Sequence, residues 1–179
     1  MIIKKITQAG NPILRKKAEM VKDFKSQKTK KTIKDLIDTM RSGSLVGIAA
    51  PQIGRCSRIF ITEIRKTANR EIKNKDELRV FINPRIVRFS KKTSVGYEGC
   101  GSVGNAQIFG PVKRADEITI EALNEKGEKF VLKAQDLLAR VIQHEFDHIN
   151  GIIFTDKIFD YKKIMSGDEY RKLSKIDKS

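Results

Sequence analysis

Both histidines of the chain fall in one stretch, QHEFDHING, as His144 and His148 four positions apart, with Glu145 directly after the first. On a helix, side chains at i and i+4 lie one turn apart on the same face. Leu137 and Val141 fall on that face as well, so the spacing predicts a helix over residues 135–150 that Gly151 stops. The two imidazoles then share an apolar stripe and point inward. A buried imidazole needs a partner, and a divalent ion between the two serves both. A solvated helix face with incidental histidines fits poorly, because the chain holds no other histidine. The fold must therefore bury this helix and bring a further ligand to it.

Two histidines leave a catalytic metal site one protein ligand short, with a fourth position kept for water or substrate. Phe154 stands where one large group of metallopeptidases places a third histidine, in H-E-x-x-H-x-x-G-x-x-H. The remaining donors are a downstream carboxylate, of which Glu169 is the nearest glutamate, and the thiolates of Cys56 and Cys100. Cys100 sits in YEGCGSVG with glycine on both sides, so its backbone can approach an ion closely. Cys56 precedes an ordinary strand and reads as a small, half-buried residue. Cys100 is the preferred third ligand, and a thiolate with two imidazoles suits Fe(II), Zn(II) or Co(II). Glu145 projects sideways from the pair and is placed to move a proton of an attacking water.

The rest of the chain reads as helices flanking antiparallel strands, an α+β fold in which antiparallel sheets pack around the central helix that carries H-E-x-x-H. A short helix is expected over residues 11–20, opened by Asn11-Pro12. A longer one is expected over 26–40, where Ile33, Leu36, Ile37 and Met40 recur at helical spacing and Gly43 follows. SLVGIAAPQIG reads as a loop, SRIFITEI as a strand, and residues 64–78 as a polar surface loop. RVFINPRIVRF reads as a strand broken by Asn83-Pro84, at an edge or a bulge. EITIEAL and EKFVL form a hairpin around NEKG. Another short amphipathic helix is expected beyond Asp160. With 179 residues and no internal repeat, one domain spanning 1–179 is expected.

The chain has 37 Lys or Arg against 22 Asp or Glu, a net charge of +15, and residues 1–40 carry eleven of the bases against four acids. Such a charge favours encounters with polyanions, but the chain lacks the aromatic interleaving of a common RNA-binding module and gives no sign of specific DNA binding. No apolar run is long enough to cross a bilayer. MIIKKITQAGNP lacks the order of a signal peptide. Two cysteines do not build a disulfide framework, so a reducing, cytoplasmic setting is expected.

Three separated motifs, GIAAPQIG (47–54), EGCGS (98–102) and QHEFDH (143–148), with Asn83-Pro84 and the hairpin before the last motif, resemble peptide deformylase in order and spacing over nearly the whole chain. The resemblance implies a metal-dependent hydrolase that removes the formyl group from N-formylmethionine of nascent polypeptides and releases formate. It implies one ion per chain held by Cys100, His144 and His148: Fe(II) in the cell, with Zn(II), Ni(II) or Co(II) as substitutes. Glu145 takes the general acid/base role, and Gln52 and the Gly101 N–H become the oxyanion donors. Val46, Gly47, Leu137 and Val141 are by position the candidates for the methionine pocket, and Glu98 for a partner of Arg114. Nascent formylmethionyl peptides become the partners, together with an electrostatic contact to the ribosome.

The chain departs from the family pattern at three places. Leu45 replaces a glycine, which narrows the loop beside the substrate groove. Gly101 replaces a leucine, which removes an apolar wall and loosens the segment. The arginine that commonly follows the second motif is absent before Arg114. Two rival readings remain at this level: an H-E-x-x-H metallopeptidase with Glu169 as third ligand, and a non-catalytic ribosome-binding relative.

Overall fold

The computed structural model describes residues 2–67 and 75–176, apart from the side chains of 174–176. Within the surface loop expected over 64–78, residues 68–74 lie outside the described residues. The elements follow in the order α1 (Gln27–Ser42), β1 (Gly47–Ala49), β2 (Ile59–Thr62), β3 (Arg79–Phe89), β4 (Thr93–Gly99), β5 (Ile108–Ala115), β6 (Glu117–Leu123), β7 (Lys129–Gln135), α2 (Asp136–His148), β8 (Met165–Ser166) and α3 (Gly167–Ile176).

One antiparallel sheet runs β1-β2-β3-β6-β7 and a smaller one runs β4-β5-β8. Strand β2 is buried at every position because both of its faces are covered. Ile59 and Ile61 pack with Ile33, Leu36 and Met40 of α1, while Phe60 packs with Ala139, Ile142 and Ile149 at the far face, on and just after α2. Helix α1 is capped by Ser26, whose hydroxyl accepts from the Thr29 N–H at 3.2 Å, and Gly43 ends it. Helix α2 lies between the two sheets. Its Gln143 clamps β5, donating to the Ala115 carbonyl at 2.9 Å and accepting from the Ala115 N–H at 3.2 Å. The central helix, the two-sheet α+β plan, β3, β6 and α3 agree with the sequence reading.

The strand break expected at Asn83-Pro84 is a bulge inside a doubly paired strand, with a register shift between Ile82 and Arg85. Asn83 adopts φ 52°, and its side chain exchanges two hydrogen bonds with the Val21 backbone, which offsets the strain of a left-handed non-glycine. Gly151 has φ 78°, and a Cβ there would meet the Arg15 carbonyl oxygen at 2.6 Å, so the chain after α2 needs glycine on both counts.

Three expectations need correction. The helix over 11–20 is only a 3-10 turn, Pro12–Arg15, capped by Asn11 as expected. Residues 18 and 19 are drawn instead into backbone hydrogen bonds with Ile149 and Cys56. The loop expected over SLVGIAAPQIG, residues 44–54, contains β1, which pairs with β2 through Gly47–Ala49, followed by a 3-10 turn over Ala50–Ile53. Strands β4 and β5 were not expected at all, because Gly96, Gly99 and Gly110-Pro111 interrupt the alternation that marks a strand. No helix among the described residues is long and apolar enough to cross a membrane.

Candidate metal centre and its cleft

Cys100 enters from the end of β4, and His144 and His148 from one face of α2. One donor atom from each lies within 4.8 Å of the others. The Cys100 Sγ stands 3.2 Å from His148 Nε2. Glu98 accepts from His144 Nδ1 at 2.9 Å, which turns the opposite ring nitrogen toward the cluster and fixes the tautomer that presents it. Phe154, in the position of the absent third histidine, is a core residue whose ring stacks at 6.3 Å from that of His144. Cys56 is half-buried and away from the cluster. Glu169 lies on the exposed side of α3, bound to Lys172 at 2.6 Å, and brings no ligand to the histidines.

Glu98 is buried and serves as a hub. It binds Arg114 through Nε at 3.0 Å and Nη2 at 2.9 Å, as expected, and Arg140 Nη1 at 2.9 Å; Arg114 also binds Asp147 of α2. Burial works to raise Glu98, but hydrogen bonds and charge from His144 and Arg114 hold it well below the usual carboxylate range. A buried network of this kind is costly to break: removal of one partner costs about 3–5 kcal/mol. Arg114 is thus a structural residue joining β5, β4 and α2.

Burial opposes a charged His144, yet hydrogen bonds and charge from Cys100 and Glu98 hold it well above its ordinary value. His148 is driven well below its own, by burial first and by the charges of His144 and Arg114 next, so its imidazole is neutral and ready to ligate. Burial pushes Glu145 up to about 7. Its Oε2 is buried with no hydrogen-bond partner among the described residues. A thiolate, two imidazoles and this orphaned carboxylate oxygen are the groups a divalent ion with an attacking water would employ, so the residues fit a metal.

Gln52 sits on the 3-10 turn after β1. Its Oε1 accepts from the Ala49 N–H at 2.7 Å, so its Nε2 is aimed at Cys100 Sγ, 3.5 Å away, and Ser102 Oγ, 3.3 Å away. The N-terminal segment, which the sequence reading left without a role, holds both donor-bearing segments in place. The Thr7 N–H donates to Gln52 O at 2.8 Å, and Gln8 Nε2 donates to Gly101 O at 2.9 Å. No spacing signal marks this, because the contacts are backbone-directed and 45 and 93 positions apart.

A cleft of about 590 Å³ opens over the cluster, lined among others by Val46, Gly47, Gln52, Gly101, Leu137, Val141 and Glu145. All four residues expected in the pocket therefore face it. Gly47 has a further reason to be glycine: a Cβ there would lie 2.7 Å from Glu145 Oε1 and 2.8 Å from Val141 Cγ1. Leu45 and Gly101, the two positions read as departures from the family pattern, approach each other in space. A Cβ on Gly101 would lie 3.6 Å from Leu45 Cδ1 and 3.1 Å from Ile6 Cδ1. Leu45 thus packs beside the space that a side chain at Gly101 would enter. Gly101→Leu alone is expected to lower both Tm and kcat/KM. Adding Leu45→Gly is expected to return part of the loss, a coupling of about 1 kcal/mol in a double-mutant cycle; strictly additive effects would refute the coupling.

A family model described as polypeptide deformylase matches residues 3–163. The peptide deformylase of Pseudothermotoga lettingae is 40% identical over 157 residues, covering 88% of this chain and 84% of that protein. Peptide deformylase 1 of Bacillus subtilis is 39% identical over 162 residues, covering 90% and 93%. The crystal structure of peptide deformylase from Thermotoga maritima superposes with a TM-score of 0.78 at 35% identity, over 89% of this chain and 100% of that one. The actinonin-bound structure of a class I type b peptide deformylase from Acinetobacter baumannii gives 0.79 at 31%, over 88% and 99%.

Proposed function

The chain belongs to the polypeptide deformylase family, enzymes that remove the N-formyl group from nascent peptides, and we propose that it does so with Cys100, His144 and His148 as metal ligands and Glu145 as the proton carrier. The observation that carries the assignment is the convergence of those three donors within 4.8 Å beside a buried carboxylate oxygen that has no partner. The ion is Fe(II) in the cell, with Zn(II), Ni(II) or Co(II) able to replace it, a preference in keeping with one thiolate and two imidazoles. Bound there, a divalent ion makes water acidic enough to react near neutral pH and polarises the formyl carbonyl.

The chain's own groups do the rest. Val46, Gly47, Leu137 and Val141 seat the methionine side chain, which places the formyl carbon over the cluster. Glu145 takes the proton of the attacking water. As the carbonyl oxygen gains charge, Gln52 Nε2 and the Gly101 N–H donate to it; their preorganisation comes from Ala49, Thr7 and Gln8. Glu145 then delivers its proton to the departing nitrogen, so that formate and a free α-amine are released. The substrates are nascent formylmethionyl chains in the cytoplasm. The exposed Lys28, Lys30, Lys31 and Lys34 of α1 and the net charge of +15 support an electrostatic contact with the ribosome.

Formate release from formyl-Met-Ala by the anaerobically metal-loaded chain tests this reading, with acetyl-Met-Ala as the comparison. The formyl peptide is expected to turn over and the acetyl peptide to be far slower, because a methyl group adds bulk at the carbon that must reach the cluster. Equal rates on both peptides, or none on the formyl peptide from folded, loaded protein, would overturn it.

A further inference from the structure

The matched family segment ends at residue 163, yet residues beyond it complete one wall of the cleft. Strand β8 pairs with β5 through Ile108↔Ser166 and Phe109↔Met165, and the Gly167 N–H donates to Gln107 O at 2.8 Å. This seats α3 against the end of β5, where rings from three elements meet. Tyr170 of α3 stacks on Phe109 of β5 with centroids 4.2 Å apart and planes 11° apart, and Tyr97 of β4 lies tilted at 6.0 Å from Tyr170. Gly99 makes room for the stack, since a Cβ there would lie 2.7 Å from the Phe109 ring. The aromatic wall therefore begins one residue from Cys100. Tyr97, Phe109 and Tyr170 are each half-buried and all line the cleft, so part of each ring is open to it. The charges at this end are already compensated: Arg140 is held by Glu98 at 2.9 Å, and Arg171 by Asp168 at 2.5 Å with Gln107 3.5 Å away. Beyond those paired groups, what the wall offers a ligand is ring surface.

We propose that Tyr97, Phe109 and Tyr170 form a specificity wall that favours bulky apolar, above all aromatic, side chains in the residues that follow formylmethionine. This deepens the deformylase reading of the site and rests on it. A formyl group caps the N-terminus, so once it lies at the cluster every later part of the substrate runs C-terminally through the rest of the cleft. The methionine is seated by Val46, Gly47, Leu137 and Val141, at β1 and α2. The rings come from β4, β5 and α3, which leaves them for the residues after it. The volume of about 590 Å³ accommodates more than one side chain. A side chain laid on the wall buries apolar area on both partners. A ring does so with the further gain of an aromatic pair, about two- to tenfold in affinity.

The test uses the full metal-loaded chain and the kcat/KM ratio of formyl-Met-Phe-Phe-amide to formyl-Met-Ala-Ala-amide. The unaltered chain is expected to favour the Phe peptide about tenfold. Tyr170→Ala is expected to lower that ratio about fivefold, mainly through KM for the Phe peptide. Tyr170→Phe keeps the ring and is expected to retain the ratio. Tyr170→Leu keeps apolar bulk under α3 without a ring and is expected to lower the ratio about threefold, which serves if the Ala variant loses its fold. Leu173→Ala removes apolar surface from the same helix outside the cleft lining, and is expected to shift the ratio less than twofold. A ratio near one in the unaltered chain, an unchanged ratio in Tyr170→Ala or Tyr170→Leu, or an equal shift in Leu173→Ala overturns the proposal. A residue that only packs α3 would lower turnover of both peptides alike and leave the ratio where it was. Absence of turnover on both peptides by the unaltered chain would instead refute the deformylase reading, so the two failures are distinct.

Discussion

Glu145→Gln is expected to lower kcat by about 10²–10⁴-fold while the ion and the fold remain. Gln matches the shape of Glu but cannot take a proton from water or return it to the leaving amine. The position is unusually strict, because Glu145 is buried and its Oε1 stands 2.7 Å from where a Cβ on residue 47 would lie, closer than a side chain there would allow. Replacing a buried charge by a neutral amide does not threaten the fold, so metal content and Tm should stay near the parent values. Burial pushes this carboxyl up to about 7, and a cation at the cluster pulls it down again. A base works when deprotonated, so kcat should rise with pH along a limb below pH 7, and that limb should vanish in the Gln variant. Near-parental kcat with an unchanged acid limb would remove Glu145 from the chemistry.

Cys100→Ala is expected to abolish both metal retention and formate release. The thiolate is one of the three donors that converge within 4.8 Å among the described residues, and two imidazoles alone hold a divalent ion weakly. The change also strips acceptors from Gln52 Nε2 and the Ser102 N–H, 3.5 Å and 3.4 Å from the sulfur, which adds about 1–3 kcal/mol of instability. Tm should therefore be followed beside metal content. Cys100→Ser fills the same space and separates the loss of the ligand from the loss of packing. Glu169→Ala is expected to bind the ion as the parent does. Retention of the ion by Cys100→Ala and its loss from Glu169→Ala would return the site to a carboxylate-ligated peptidase.

The central helix was legible because its pattern is local. Leu137, Val141, His144 and His148 repeat at helical spacing, and two imidazoles on an apolar stripe demand a partner. Cys100 was legible from its flanking glycines. Strands β4 and β5 were not, because the glycines that hide them serve distant neighbours: a Cβ on Gly96 would lie 2.9 Å from the Arg140 guanidinium, and one on Gly99 would lie 2.7 Å from the Phe109 ring. The Glu98 hub joins residues 16, 42 and 46 positions apart, and only its pairing with Arg114 was anticipated. Helix α3 was expected as an amphipathic segment, but its docking against the cleft depends on β8 pairing with β5, which two residues cannot announce. Leu45 and Gly101 were read singly, one as narrowing a loop and the other as losing a wall, and their proximity in space is not carried by any local pattern.

The central claim is that one ion, held by Cys100, His144 and His148, makes this chain a deformylase. It is tested most directly by titrating metal-free protein with Fe(II) under anaerobic conditions while following formate release from formyl-Met-Ala. Activity is expected to rise in proportion to added metal and to level off at one equivalent per chain. Turnover that does not depend on metal, or one tightly bound equivalent with no turnover, would contradict the account.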